Sequence, residues 1–484
     1  MPRTTYARKF DLMSQQTFTA NAIMSNGEGS LVFSDPGTGK TLSVFEAFLA
    51  AWERNEVDQM IVLGPLSILQ AAWGDDIDKY VDGFYYEIAY AKNRAKAFAS
   101  GAPVIITNHD AVKWLAEHRE VLDPNKRIWL AVDESTAFKN PTAQRTKAIM
   151  SLAPLFHKRM PMTGTPSPHS VLDYWAQVFI ADRGERLGQM FYRYRGQVAD
   201  AVQVGMNAHA KKWEAKPGAI DMVTQSIADI TIRFRLEDCV DIPPCTHSYA
   251  YINIPEKLRL MYNQLIEQSV LESENGQIVT AVHAASRSRK ILQLLTGSVY
   301  DQDGEPVLFH TERAELVMQY VEERAPIAPC VVGFNFHHER DALLKEAKKR
   351  KLRVAFIDGT VDQTKRVDLV RSFQAGAYDV ILLHPQAAGH GLTFTRARTL
   401  IWSSPTENAE HLLQLNARIY RKGQEHKTEI IMVAARDTRE VFVYESNLQP
   451  KVTRQSHALN VFTDTTKASM DLPSRPTVVA EEVD

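Results

Sequence analysis

Cysteine is scarce. The chain has three in 484 residues (Cys239, Cys245 and Cys330), and no two of them form a Cys-x-x-Cys pair. That spacing offers neither a zinc site nor a disulfide framework, so the three read as small buried or half-buried side chains. Long apolar runs are missing too: nothing approaches the ~18 residues of a membrane span. Met1 to Phe10 is basic but lacks the apolar core of a signal peptide. An intracellular, cytoplasmic chain with no membrane partner is therefore expected. Nor is there an excess of one charge: 56 Lys and Arg face 58 Asp and Glu, a net charge of −2. A protein that coats nucleic acid is usually strongly basic. A balanced chain can hold nucleic acid only through a local basic groove and salt-sensitive contacts.

Hydrophobic content of 44% and charged content of 24% are those of an ordinary globular protein. The length exceeds one typical core, so at least two domains are expected. Short apolar runs recur with a βαβ rhythm. Leu31 to Phe33, Met60 to Leu63, Val104 to Ile106 and Ile128 to Val132 read as buried parallel strands, with helix-like stretches such as Leu66 to Tyr80 between them. The rhythm breaks over 182–311, a more polar and basic stretch with helical character at Glu256 to Glu272 and Thr280 to Leu295. It resumes at Cys330 to Phe334, Val354 to Ile357, Val380 to Leu383, Thr399 to Trp402 and Glu429 to Val433. The expected fold class is α/β: two doubly wound parallel-sheet lobes (1–181 and 312–448), a helical insertion between them (182–311), and a polar, flexible tail (449–484).

The octet Ser34-Asp35-Pro36-Gly37-Thr38-Gly39-Lys40-Thr41 sits between the first apolar run and an amphipathic stretch. A glycine-rich turn from strand to helix aims backbone N–H groups at an anion. Lys40 can then reach the β- and γ-phosphates, and Thr41 can hold Mg²⁺. Ser34 stands where the usual pattern has glycine. Asp133 and Glu134 close the run Ile128 to Val132. Adjacent carboxylates at the end of a buried strand suit Mg²⁺ orientation by Asp133 and water activation by Glu134.

Arg418 and Arg421, three apart, read as one helix face able to contact a single anion. An arginine at a γ-phosphate stabilises phosphoryl transfer. Thr163-Gly164-Thr165-Pro166 could relay hydroxyl contacts between nucleotide and a partner strand. The loop Ala387 to Thr393, with Gly391 and Thr393, could bring backbone amides to a nucleic-acid phosphate.

Taken in order from about Leu12 to Val443, these motifs resemble helicase superfamily two, and within it the Swi/Snf-type double-stranded DNA translocases. Gly64-Pro65-Leu66-Ser67-Ile68-Leu69 followed by Trp73 resembles motif Ia, and Ile105-Ile106-Thr107-Asn108 resembles Ib. Val132-Asp133-Glu134-Ser135 resembles motif II, although Ser135-Thr136 replaces the family's Ala-His. Thr163 to Pro166 resembles motif III, Gly389 to Leu392 motif V, and Gln414 to Gln424 motif VI. Gln16 falls where the family's adenine-reading glutamine lies, with Gln15 beside it.

The resemblance implies two RecA-like lobes, ATP and Mg²⁺ as cofactors, and hydrolysis coupled to movement along DNA, duplex favoured over single strands and RNA left open. It implies Lys40, Thr41 and Gln414 at the nucleotide, Asp133 and Thr41 at Mg²⁺, Glu134 as base, and Arg418 and Arg421 as arginine fingers. Pro65, Thr107, Thr163, Gly164, Thr165, Gly391 and Thr393 become contacts for nucleic acid or for coupling. So compact a motor suits a bacterial or phage-infected cell. A strand-separating helicase and a non-catalytic nucleotide switch are the alternatives.

Overall fold

The computed structural model describes residues 3–167, 170–203, 211–268, 270–272, 278–280, 284–388 and 392–471. The chain divides into two units, one of Met1–Cys239 with Gln455–Asp484 and one of Val240–Arg454.

Seven strands form the sheet of the first unit: β1 (Leu31–Val32), β2 (Gln59–Gly64), β3 (Tyr86–Ala89), β4 (Val104–Asn108), β5 (Ile128–Asp133), β6 (Lys158–Met162) and β7 (Thr231–Ile232). Their order is β3-β4-β2-β5-β6-β1-β7, and every pairing is parallel. Side chains alternate between faces along a strand, and both faces here are covered by helices. Met60 and Val62 therefore enter one apolar cluster while Ile61 and Leu63 enter another, which is why the run is continuously apolar. The helix Lys40–Glu53 buries Leu42, Val44, Phe45, Ala47, Phe48, Leu49 and Ala51, all in the apolar cluster that also holds Val32 of β1.

The second unit carries six parallel strands: β8 (Cys245–Ile252), β9 (Cys330–Gly333), β10 (Val354–Ile357), β11 (Val380–Leu383), β12 (Thr399–Trp402) and β13 (Thr428–Ala435). Their order is β8-β13-β12-β9-β11-β10. The same alternation holds: Val331 and Ile381 enter one cluster, Cys330, Val332, Val380 and Leu382 another. Strand β8 pairs with β13 over eight residues. Its mixed sequence Cys-Thr-His-Ser-Tyr-Ala-Tyr-Ile hides it from an apolar-run reading, because this edge strand is only partly buried, with Cys245 and Tyr251 against one cluster and Ala250 and Ile252 against another.

Three expectations are corrected. The stretch 182–311 is no separate body: its part up to Cys239 belongs to the first unit and its part from Val240 to the second. Besides the helices Glu256–Gln268 and Ala284–Leu295, it holds three two-stranded hairpins, Ala199–Gln203 with Lys211–Ala215, Val270–Glu272 with Ile278–Thr280, and Ser298–Tyr300 with Pro306–Leu308. The expected helix through Glu272 thus stops at Gln268.

Of the expected tail 449–484, residues 472–484 lie outside the described residues, and the described part is helical. It forms the helix Gln449–Asp471, whose Leu459 and Phe462 are buried in the first unit among Leu31, Phe33 and Tyr174. The Phe462 ring stands 6.3 Å from that of Phe33 and 6.4 Å from that of Tyr174. Its apolar residues are too few to stand out by composition, yet they fall on one face.

Candidate functional site

The octet leads from β1 into the helix Lys40–Glu53. Gly37 and Gly39 have φ of 88° and 87°, the left-handed region where a Cβ is strained. At Gly39 the space is closed as well, because an added Cβ would stand 2.1 Å from Gln16 Nε2. The Gln16 amide donates to the Gly39 carbonyl at 3.5 Å, and its Oε1 accepts the Met13 N–H at 3.0 Å. Gln16 therefore lies against the loop, whereas the Gln15 amide turns to the Met13 sulfur.

Ser34 has a physical reason to replace glycine. Its hydroxyl accepts the Phe234 N–H at 3.0 Å and donates to the Ile232 carbonyl at 3.5 Å, tying the loop to the end of β7. The Asp35 carboxylate accepts from the Arg233 guanidinium at 2.6 Å and from the Leu236 N–H at 3.1 Å. What Asp35 lends the loop is its carbonyl, which accepts from Thr38 Oγ1 at 2.8 Å and from Lys40 Nζ at 3.1 Å. Lys40 Nζ also donates to the Ser34 carbonyl at 2.8 Å. Burial lowers the pKa of this amine, and the negative charges of Glu134, Asp133 and Asp35 oppose that shift. Pro36 packs on Gly164, where a Cβ would meet its Cδ at 2.8 Å. Thr41 sits half-buried in the first turn of the helix.

Two strands away, β5 ends at Asp133. Its Oδ2 accepts the Trp73 indole N–H at 3.1 Å, its Oδ1 accepts the Glu134 N–H at 3.0 Å, and its carbonyl accepts from His109 Nε2 at 2.7 Å. Burial and the Glu134 charge push the Asp133 carboxyl up to about 6, against the Trp73 hydrogen bond and the Lys40 charge. Glu134 takes the left-handed conformation, φ 48°, a strained backbone for a non-glycine residue. Its Oε2 accepts from Thr163 Oγ1 at 3.3 Å, and that hydroxyl accepts the Thr165 N–H at 3.1 Å. The Thr165 hydroxyl is buried without a partner among the described residues.

The Ser135-Thr136 departure has a structural answer. Ser135 Oγ donates to Gln177 Oε1 at 2.7 Å, and the Gln177 amide donates to the Pro166 carbonyl at 2.6 Å. A serine–glutamine bridge therefore joins the segment after Glu134 to the one after Thr165. The only sequence signal for Gln177 is a polar residue inside a helix, Asp173–Asp182, that is otherwise largely apolar. His109 gives no signal as a site residue, and Arg233 stands out in the sequence only within Arg233-Phe234-Arg235, which resembles the family's stretch between lobes.

Two residues expected to contact nucleic acid or to serve coupling have buried side chains. Thr107 is fully buried in β4, and its hydroxyl donates to the Ala89 carbonyl of β3 at 2.7 Å. Pro65 is buried, and its neighbour Leu66 is the exposed side chain of that turn. Gly391 lies outside the described residues, and Thr393 is half-buried.

In the second unit, the helix Ala409–Asn416 carries Gln414, whose amide donates to Glu410 Oε1 at 3.3 Å. The helix stops before the arginines, so Arg418 and Arg421 do not share a helix face. They lie on the turns that follow, and each donates to the Leu392 carbonyl, at 3.4 and 3.1 Å. Tertiary structure, not helical spacing, brings them together. Gln424 fastens the turn by donating to the Thr395, Ala397 and Ile419 carbonyls.

No group of three or more His, Cys, Asp or Glu able to hold a metal occurs among the described residues. The Thr41 hydroxyl and the Asp133 carboxylate fit Mg²⁺ all the same, since that ion takes few protein oxygens and completes its shell with phosphate and water. No described helix is long and apolar enough to cross a membrane.

A glycine loop between strand and helix, its lysine, and a carboxylate pair closing a strand of the same parallel sheet define a phosphate-loop nucleotide hydrolase. Residues 16–298 match the SNF2-related domain and residues 312–423 the helicase conserved C-terminal domain. The chain belongs to the SNF2-related family, and it is an ATP-hydrolysing motor of helicase superfamily two, of the DNA-translocase kind. Its two parallel sheets are the two RecA-like lobes of that family.

Protein p41 of Acyrthosiphon pisum secondary endosymbiont phage 1 is 26% identical over 434 residues, covering 86% of this chain and 91% of p41. The human DNA annealing helicase and endonuclease ZRANB3 is 22% identical over 87% of this chain, which spans only 38% of that protein. The zebrafish (Danio rerio) DNA repair and recombination protein RAD54-like is 21% identical over 88% of this chain and 63% of its own length. Among solved structures, the Sulfolobus solfataricus SWI2/SNF2 ATPase core in complex with dsDNA aligns with 98% of this chain and 100% of that one, at 18% identity and a TM-score of 0.43.

Proposed function

We propose that this motor tracks along duplex DNA, driven by Mg²⁺-dependent ATP hydrolysis at the octet. The observation that carries the reading is the convergence of Lys40, Asp133 and Glu134 at one end of one sheet, with Thr163 hydrogen-bonded to Glu134. Lys40 and the amides of Ser34 to Thr41 hold the phosphates, and Gln16 and Gln414 contribute to nucleotide binding. Thr41 and Asp133 hold Mg²⁺, which supplies charge neutralisation to the phosphates when bound. Glu134 orients and deprotonates the attacking water. Arg418 and Arg421, paired on the Leu392 carbonyl, supply positive charge to the transferring phosphoryl group. Thr163, Gly164 and Thr165 couple the base to nucleic-acid binding, through the Thr163 hydroxyl bonded to Glu134. Thr393 and Gly391 are assigned to DNA contact. Membership of the family supports the duplex preference, and the likeness to a phage protein over most of both lengths supports a bacterial or phage-infected cell as its setting.

The test is the ATPase rate of the full chain on duplex DNA, single-stranded DNA and RNA at one salt concentration, because salt alone changes affinity by orders of magnitude. Duplex should stimulate most, and Lys40→Ala and Glu134→Gln should abolish turnover. Equal stimulation by RNA, or displacement of a strand from forked DNA, would favour the strand-separating alternative. Nucleotide binding without turnover on any nucleic acid would favour the switch.

A further inference from the structure

We infer that Trp73 is a positioning residue for Asp133, holding the carboxylate in the orientation that Mg²⁺·nucleotide requires; the inference rests on the ATPase reading above. The indole is fully buried, and a buried indole N–H, a donor only, needs an acceptor. Sixty positions along the chain, Asp133 Oδ2 provides it at 3.1 Å.

The backbone that delivers the indole is unusual. After β2 the chain makes a 3₁₀ turn, Leu66–Ile68, then a π-helical stretch, Leu69–Gly74, and only then the α-helix Asp75–Tyr80. Widened turns of this kind are rare and concentrate at functional sites. Each residue of a regular helix turns by about 100°, so the widened stretch sets which way the residue at 73 faces.

The Asp133 side chain is thereby held from both sides. One oxygen accepts from Trp73 and the other from the Glu134 N–H, while His109 grips the carbonyl of the same residue. Each carboxylate oxygen keeps a further lone pair for a cation or its water. An indole N–H is a donor only and cannot itself ligate a cation. Trp73 acts through Asp133, as outer partners of metal ligands do.

Equilibrium binding of a fluorescent ADP analogue to the full chain, once with Mg²⁺ and once with EDTA, tests this without relying on turnover. Trp73→Phe keeps a large ring and removes the donor. It should weaken binding about tenfold in Mg²⁺ and leave binding in EDTA unchanged. In an Asp133→Asn background the same substitution should add no Mg²⁺-specific loss, because the residue it acts through is already altered. Equal losses with and without Mg²⁺, or none in either, overturn the inference and give Trp73 a packing role only.

If Trp73→Phe does not fold, the wild type decides. Of its seven tryptophans, Trp73 and Trp402 are fully buried, and of their two slowly exchanging indole N–H signals the one that persists in Trp402→Phe should shift when Mg²⁺ joins the ADP complex. No indole signal moving overturns the inference. A wild type whose ADP binding ignores Mg²⁺ would instead sink the ATPase reading, and the inference with it.

Discussion

Asp35 and Arg233 form a pair whose two halves sit in different surroundings, and the difference predicts an asymmetry. The guanidinium side chain is 5% exposed and the carboxylate 29%. Arg233 donates to Asp35 at 2.6 Å and to the Phe33 carbonyl at 2.7 Å, and its Nε is buried with no partner among the described residues. Removing the carboxylate by Asp35→Ala leaves a buried cation with one neutral acceptor. Breaking a fully buried pair in this way costs about 3–5 kcal/mol. With the carboxylate partly wet, about 2–4 kcal/mol is expected. Arg233→Met keeps most of the volume and leaves a carboxylate that water can reach, so about 1–2 kcal/mol is expected. The double variant should be less unstable than Asp35→Ala alone, since no charge is then stranded.

Urea unfolding of the wild type, both single variants and the double variant measures this, read as the transition that reports the first unit. Hydrogen exchange adds a local reading: the Leu236 amide, which donates to Asp35 Oδ2, should lose protection in Asp35→Ala. Finding Arg233→Met as damaging as Asp35→Ala, or the double variant as unstable as the sum of the singles, would refute the argument from desolvation.

Thr163→Val removes the hydroxyl bound to Glu134 and should lower kcat about tenfold while leaving KM for ATP nearly unchanged, measured by steady-state ATPase assay. Phe462→Ala empties a fully buried site against Phe33 and Tyr174. A loss of about 3–5 kcal/mol is expected in the first unit's unfolding free energy, and deletion from Gln449 onward should lower its Tm. The His338 imidazole is buried, and burial depresses its pKa to about 4. Its folded pKa lies below the unfolded value near 6.5, so the native state binds fewer protons between the two. Stability of the second unit should therefore fall as pH drops from about 6.5 to about 4, by up to about 3 kcal/mol. Thermal unfolding across that window, with His338→Phe flattening the profile, measures it.

Strands β1, β2, β4, β5 and β9 to β13 were legible because their runs are continuously apolar, whereas the half-buried edge strand β3 and the two-residue β7 were not read as strands. The edge strand β8 and the helix Gln449–Asp471 were not legible either, because each is only partly buried and reads as polar. The octet Ser34 to Thr41 and the pair Asp133-Glu134 were legible because their chemistry is local: adjacent residues on one turn carry it. From the sequence alone came the phosphate loop, the acid pair, the α/β class and the resemblance to a family of motors.

Tertiary structure alone decided what holds these groups still. Ser34 binds Phe234, Asp35 binds Arg233, Ser135 reaches Thr165's neighbour Pro166 through Gln177, and Trp73 meets Asp133, each across a gap in the chain that no local pattern encodes. The same holds for the arginines: a three-residue spacing suggested a helix face, but the helix ends at Asn416 and a shared carbonyl pairs them. Spacing reports which residues can be neighbours on one element. Which side chain orients which depends on how separate elements pack, and that appears only when the chain is folded.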